Sequence, residues 1–401
     1  MTVRVVAQRA LKIVITLASI VIFIQGALAI VVHQLVANLL LSSDPIRRQK
    51  HLDYTKKKFI LLLVTILTIV APSSVRITTD GRTMPKNLFS NDIHTGGLLS
   101  NLRRKSLLIA NHQIYTDWVF LWWLTYTGGL AGNVFIMLKQ SLARIPILGY
   151  GMENYKFIFM NRKWSKDKIN LANRLSNMDH NARGVGDLAG KHFSAKTEEG
   201  LEVWTDQDPH YVDRSQKSWP YSLIIFPEGT NLSQNTRNKS EIFAAKANLE
   251  NFRNLVIPRS TGLRFALQEL RNSCEVVYDA TIGYSGVKQN EYGQDIYQLG
   301  NIFLKGQAPE LVDIHLRAFE LDEIPIDDES KFSEWLLKVW REKDELLDYY
   351  YEHKNFDRGP GETSQVVTGT CKVQRLEMIQ MLALPCLTAL TIGVLIWKKY
   401  A

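Results

Sequence analysis

The apolar positions of this 401-residue chain collect into long runs near its two ends and into short, interrupted runs in between. Ile13–Val32 is twenty residues without a charge, broken only by Thr16, Ser19 and Gln25 among hydrogen-bonding side chains. As a helix it would rise about 30 Å, one hydrocarbon core. Arg4, Arg9 and Lys12 precede it and Ala27-Leu28-Ala29 imitates a cleavage site, so a signal peptide is one reading. The run continues through Val36 to Leu41, longer than a signal core, and an uncleaved anchor is the expectation.

A second run, Phe59–Ala71, has thirteen residues, follows the cations Arg47, Arg48, Lys50 and Lys56 to Lys58, and stops at Pro72. It is short for a crossing, so the segment 59–75 reads as an interfacial or re-entrant helix paired with the first as a hairpin. A third run, Met378–Trp397, is one bilayer long with Pro385 inside it and Trp397, Lys398 and Lys399 at its edge. Either it spans the bilayer or Pro385 bends it into an interfacial element. The final Lys398-Lys399-Tyr400-Ala401 resembles a dilysine retrieval signal of endoplasmic reticulum membrane proteins, or is two snorkelling lysines.

Between about residues 80 and 353 short apolar strands alternate with longer helical stretches, the pattern of an α/β domain. Strands are predicted at Ser106–Ala110, Val134–Leu138, Phe157–Met160, Ser222–Phe226, Asn254–Ile257, Val276–Tyr284 and Val312–Ala318. Helices are predicted over Asp167–Met178 and Ser330–Tyr351; in the latter Phe332, Leu336, Val339, Leu347 and Tyr350 share one stripe. Residues 181–220, rich in Gly, charge and single aromatics, form an insertion, either surface decoration or a lid. Residues 354–374 read as a flexible linker to the C-terminal segment 378–397, and residues 1–79 as the membrane-anchoring part.

A formal charge of +8 points to an anionic surface or substrate. With no nucleic-acid-binding motif and apolar ends, membrane phospholipid is the expected partner. Cys274, Cys371 and Cys386 are too few and too far apart for a disulfide framework or a metal site.

Candidate chemistry begins at Ala110-Asn-His-Gln-Ile-Tyr-Thr-Asp-Trp118. His112 follows an apolar strand, Asn111 is a turn residue, and a helix starting near Tyr115 would fold Asp117 back onto the imidazole. A carboxylate there orients the ring and stabilises its protonated form, leaving the other nitrogen to accept a proton. The spacing alone is a weak signal.

Three further segments follow in order: Phe157-Ile-Phe-Met-Asn-Arg162, Phe226-Pro-Glu-Gly-Thr230 and Val256-Ile-Pro258. With His112-x4-Asp117 they resemble the four blocks of the glycerolipid (1-acylglycerol-3-phosphate type) acyltransferase family. Asp117-Trp118 with Trp122-Trp123, Lys139–Gly149 and Thr281-Ile-Gly-Tyr-Ser-Gly286 extend the likeness to about residues 10–350. They point to the fungal branch that contains a lysophosphatidylinositol acyltransferase placing stearoyl at the sn-1 position.

The resemblance implies an α/β fold with a mixed sheet flanked by helices and with N-terminal and C-terminal membrane helices. It implies transfer of an acyl group from acyl-CoA, a co-substrate, to a lysophospholipid hydroxyl, with no other cofactor and no metal. His112 would be the general base and Asp117 its orienting carboxylate. Arg162, Glu228, Gly229, Thr230 and Asn231 would bind the lipid's glycerol phosphate, Arg162 as a bidentate guanidinium. Pro258 would shape the backbone. Ser285 lacks the second flanking Gly of a nucleophile elbow and is expected in a turn.

Two positions depart from many relatives. Lys156 stands where they have Gly, and Asn231 where they have Arg. Loss of a cation at 231 favours a phosphodiester acceptor over the dianionic lysophosphatidate, the alternative substrate. A membrane lipid-binding protein without catalysis and a hydrolase are the readings from other classes. Asn231-Leu-Ser and Asn238-Lys-Ser are glycosylation sequons. A glycan on Asn231 would obstruct the site, so the domain is expected on the cytosolic face of the endoplasmic reticulum membrane, with the lipid droplet a second location.

Overall fold

Strands form where the middle region's apolar runs are short and rich in Val, Ile and Leu, because both faces of the sheet they enter are covered. The computed structural model describes residues 3–204, 212–213 and 218–400. Its strands are β1 (Ser74–Asp80), β2 (Phe89–Asn91), β3 (Leu98–Ser100), β4 (Lys105–Ala110), β5 (Val134–Lys139), β6 (Ile158–Met160), β7 (Ala195–Lys196), β8 (Glu202–Val203), β9 (Tyr221–Ile225), β10 (Val276–Tyr284), β11 (Leu311–Phe319) and β12 (Thr363–Thr370). Eight make one sheet in the order β12-β1-β11-β10-β4-β9-β5-β6; β2 pairs with β3 and β7 with β8.

The five neighbours β10, β4, β9, β5 and β6 run parallel. β11 lies antiparallel to β10, β1 parallel to β11, and β12 antiparallel to β1. This is the expected mixed α/β sheet.

The helices are α1 (Val3–Leu40), α2 (Pro45–Val70), α3 (Asp117–Thr127), α4 (Leu148–Asn154), α5 (Trp164–Arg183), α6 (Gln234–Ala247), α7 (Ser260–Glu269), α8 (Gly293–Ile296), α9 (Leu299–Lys305), α10 (Glu329–His353) and α11 (Arg375–Tyr400). Alternate residues of β4 divide between two cores. Leu108 and Ala110 pack with α2 and α3, while Leu107 and Ile109 pack with α5, α7 and α10. Period-two alternation on a fully buried strand thus builds a layer of helices on each face.

Four expectations are corrected. Phe59–Ala71 is not interfacial: it is the second half of α2, where Phe59 to Leu67 are all buried between α1 and the sheet. A helix apolar on every side is a core helix. Residues 354–374 are not a flexible linker, because β12 within them forms the sheet's edge, with Val367 opposite Ile77. Its Thr-Ser-Gln-Val-Val-Thr-Gly-Thr sequence has β-branched residues but little apolar alternation, since one face is solvated. The sheet also begins before residue 80, at β1.

Asn254–Ile257 forms no strand. The Asn254 N–H donates to Asp344 (2.7 Å) and the Ile257 N–H to Ser240 Oγ (3.1 Å), so backbone donors that a ladder would use are taken by side chains of α10 and α6.

α1 is long and apolar enough over Ala10–Leu40, 31 residues, to cross a membrane. Leu17, Ile24, Leu28 and Leu35 lie exposed along it, and α2 pairs with it as a helical hairpin. α11 runs as one helix through Pro385 and packs its first turns on α1 and α2. Cys274, Cys371 and Cys386 are free thiols.

The described part of the 181–220 insertion surrounds a cavity of about 410 Å³ with Asn133, Tyr221 and α5, at the amino ends of β5 and β9. It covers the opposite sheet edge from His112 and is not a lid over that residue; residues 205–211 and 214–217 of the insertion lie outside the described residues.

Candidate active site

Parallel strands end together, so the loops that follow them share one edge, where open α/β sheets present ligand-binding groups. Here β4 leads into His112, β9 into Phe226–Thr230, β6 into Arg162, and β10 ends at Tyr284.

α3 begins at Asp117, whose carboxylate is wholly buried. Oδ2 accepts from His112 Nδ1 (2.7 Å), the Gln113 N–H (2.6 Å) and the Ile114 N–H (3.1 Å). Tyr284 O–H donates to Oδ1. Four donors saturate the carboxylate and hold it at the positive end of a helix. With Nδ1–H turned to Asp117, Nε2 is the acceptor, on a ring that keeps 17% of its side-chain surface exposed. The Phe226 ring stacks on the imidazole, centroids 4.3 Å apart, and the Leu232 N–H returns to the His112 carbonyl (2.8 Å).

The sequence reading of His112 and Asp117 as a pair therefore matches the geometry. Asn111 does more than turn the chain. Its amide donates to the Ile282 carbonyl (3.0 Å) and accepts from the Ile282 N–H (2.8 Å), carrying the β4–β10 pairing one step past the strand end. Tyr284 escaped the sequence reading because β10 is buried at every position and gives no periodic signal. Ser285 is in a turn as expected: its Oγ accepts the Leu311 N–H (2.9 Å).

Glu228 does not face the open site. It is buried, takes Trp340 Nε1–H on Oε1 (3.2 Å), and leaves Oε2 buried without a hydrogen-bond partner. Burial pushes its carboxyl well above the usual range, against the Trp340 hydrogen bond. Beneath it, Lys343 joins Asp279 (2.5 Å) and the Ala280 carbonyl (2.6 Å), and Arg317 joins Asp279 (2.8 Å). Burial lowers Lys343 to about 8 despite Asp279. Burial would raise Asp279, but Lys343 and Arg317 hold it below its ordinary value.

Asn231 also turns inward. The residue is half-buried and its Nδ2 is buried without a hydrogen-bond partner, so it could not carry a glycan in this fold. Gly229 and Thr230 remain at the open edge, Gly229 exposed in the left-handed region (φ 69°) with its N–H closing a turn to Phe226 O (2.9 Å). Arg162 is exposed, also left-handed (φ 62°), with no hydrogen bond or ion pair among the described residues. Holding a non-glycine residue there costs about 1 kcal/mol and aims the side chain out of the strand. Lys156 is likewise left-handed (φ 58°) at the end of α4, which is the physical reason glycine suits that position; its side chain lines the cavity at the far edge.

Comparison with known proteins agrees with this architecture. The acyltransferase family model matches residues 92–285, and the acyltransferase C-terminus model residues 302–379. The chain is 51% identical over 395 residues to the 2-acyl-1-lysophosphatidylinositol acyltransferase of Saccharomyces cerevisiae, covering 98% of this chain and 97% of the relative. It belongs to the acyltransferase family. A second acyltransferase of the same yeast, uncharacterized, is 42% identical over 352 residues, 87% of this chain and 83% of that one. Lysocardiolipin acyltransferase 1 of Gallus gallus is 30% identical over 289 residues, 71% of this chain and 62% of that protein. The enzyme is thus an acyltransferase of lipid metabolism, and its apolar N-terminal helix fits membrane association.

Proposed function

We propose that this acyltransferase esterifies the free sn-1 hydroxyl of lysophosphatidylinositol with an acyl group from acyl-CoA. One observation carries the acceptor: the near full-length similarity to the yeast enzyme named for 2-acyl-1-lysophosphatidylinositol. Stearoyl is the preferred donor chain in this reading.

His112 Nε2 takes the proton of the lysolipid hydroxyl as its oxygen attacks the thioester carbonyl. The tetrahedral adduct collapses, the carbon–sulfur bond breaks, and the imidazolium returns the proton to the departing thiolate, leaving ester and free CoA. Asp117 lies 2.7 Å from Nδ1 and balances the transient charge. Such base catalysis contributes about 10²–10⁴-fold. No protein nucleophile is required, because the lipid supplies the attacking oxygen. Arg162, Gly229 and Thr230 line the side from which the glycerol phosphate approaches.

Membrane anchoring follows from α1, with α11 as a second anchor and the catalytic domain on the cytosolic side of the endoplasmic reticulum membrane. The buried Asn231 amide supports that side over the glycosylating lumen.

The test is a matrix of lysolipids and acyl-CoAs, assayed with wild type and His112→Ala in parallel. The reading expects acylation of lysophosphatidylinositol that is abolished in the variant. Faster acylation of lysophosphatidate than of lysophosphatidylinositol would overturn the acceptor, and an active His112→Ala the base.

A further inference from the structure

We infer that Arg259 binds the phosphate of the lysophospholipid together with Arg162, supplying the cation that residue 231 does not. The inference rests on the acyl-transfer reading above but not on the identity of the headgroup.

The chain after Val256-Ile-Pro258 runs beside the Phe226–Thr230 turn, and the Arg259 N–H donates to the Pro227 carbonyl (2.9 Å). That bond sets the Arg259 side chain across Gly229. A Cβ on Gly229 would stand 3.9 Å from both Cδ and Nε of Arg259, ordinary contact distance, so the arginine side chain lies directly beside the glycine. Glycine suits that position for its left-handed backbone (φ 69°).

Arg259 is exposed and makes no side-chain hydrogen bond or ion pair among the described residues. Two carboxylates of the adjoining segments are engaged elsewhere. Asp167 accepts the Asn161 and Lys163 N–H groups (2.8 and 3.1 Å), and Glu228 faces Trp340. Trp164 of α5 meets Phe265 of α7 edge to face, centroids 5.1 Å apart. That contact packs the first residue of α5 on the middle of α7, and Arg162 and Arg259 lie just before the two helices. One unpaired guanidinium thus lies beside Gly229, and a second, Arg162, leads into the helix packed on α7, both in loops at the edge where His112 lies.

Phosphate oxygens match a guanidinium's paired donors. Both substrates carry phosphate, but the lysolipid's is only a glycerol backbone away from the reacting oxygen. Coenzyme A carries its phosphates at the far end of the pantetheine arm. Gly229 is one turn from Phe226, which stacks on His112, so the short span selects the lysolipid.

The test uses the full-length enzyme in detergent micelles with Arg259→Ala and Arg259→Lys, measuring kcat and KM for lysophosphatidylinositol, lysophosphatidate and stearoyl-CoA. For whichever lysophospholipid the wild type uses, Arg259→Ala should raise KM about 10- to 100-fold while kcat stays within about threefold. The KM for stearoyl-CoA should not move. Lysine keeps the charge without the fork and should recover part of the loss. The side chain is exposed, so the melting temperature of both variants should match wild type. A lysolipid KM within about threefold of wild type, or a rise in the stearoyl-CoA KM instead, would overturn the assignment. If wild type ignores lysophosphatidylinositol but uses another lysophospholipid, the proposed acceptor fails, and the KM split on that lipid still decides Arg259.

Discussion

Replacing Asp117 with Asn separates the charge of this residue from its geometry. An amide can keep its oxygen toward His112 Nδ1, Gln113 N and Ile114 N, and present its NH₂ to the Tyr284 hydroxyl, which can accept. The loop and the ring orientation then persist, and only the negative charge beside the imidazole is lost. Two unit charges about 4 Å apart at an effective dielectric near 20 interact by about 4 kcal/mol. The pair forms when His112 becomes charged, so the loss falls on the transition state and corresponds to about a 10³-fold drop in kcat. KM for the lysolipid should change little. Initial rates of labelled ester formation in mixed micelles, with wild type, Asp117→Asn, His112→Ala and the double variant, measure this. The double variant should fall to the floor of His112→Ala alone, because both substitutions disable one device. Asp117→Asn activity within tenfold of wild type would refute the electrostatic role, and additive losses would refute the coupling.

Tyr284→Phe strips Asp117 Oδ1 of its donor; a charged hydrogen bond of this kind predicts a loss of about tenfold in kcat, read in the same assay. Asn111→Ala leaves the N–H and C=O of Ile282 unpaired in the sheet interior, so unfolding in denaturant should show roughly 2–4 kcal/mol less stability. Burial lowers His315 from 6.5 to about 4, with Arg317 acting in the same direction. Between those pH values the unfolded chain binds a proton that the folded one refuses, so stability is full above 6.5 and falls as pH drops toward 4. The loss is roughly 3 kcal/mol, seen as a declining melting temperature that His315→Gln should flatten.

How much could be read beforehand depended on whether a residue's environment comes from its sequence neighbours. His112 and Asp117 are five positions apart, and the strand-to-helix turn between them is local, so their pairing was readable. The strands β4, β5, β9, β10 and β11 announced themselves by buried apolar runs. β12 did not, because an edge strand needs only β-branched residues and a partner, and its partner β1 lies nearly three hundred residues earlier. Phe59–Ala71 was misread for a related reason. An apolar helix can face lipid or a sheet, and only its packing between α1 and the sheet separates the two.

The same division runs through the site. The sequence by itself determined the chemistry: a histidine with its carboxylate, an arginine, a glycine turn, and an anchor long enough for a bilayer, each set by residue type and short-range spacing. Tertiary structure decided which of those groups face substrate. Glu228 and Asn231 belong to the same motif as Gly229 and Thr230, yet a turn points successive side chains in different directions, sending the first two inward. Arg259 follows a segment that forms no strand and reaches that motif because the Pro227 carbonyl holds its backbone there. Tyr284 meets Asp117 across a sequence separation of 167, a contact that exists only once β10 lies beside β4.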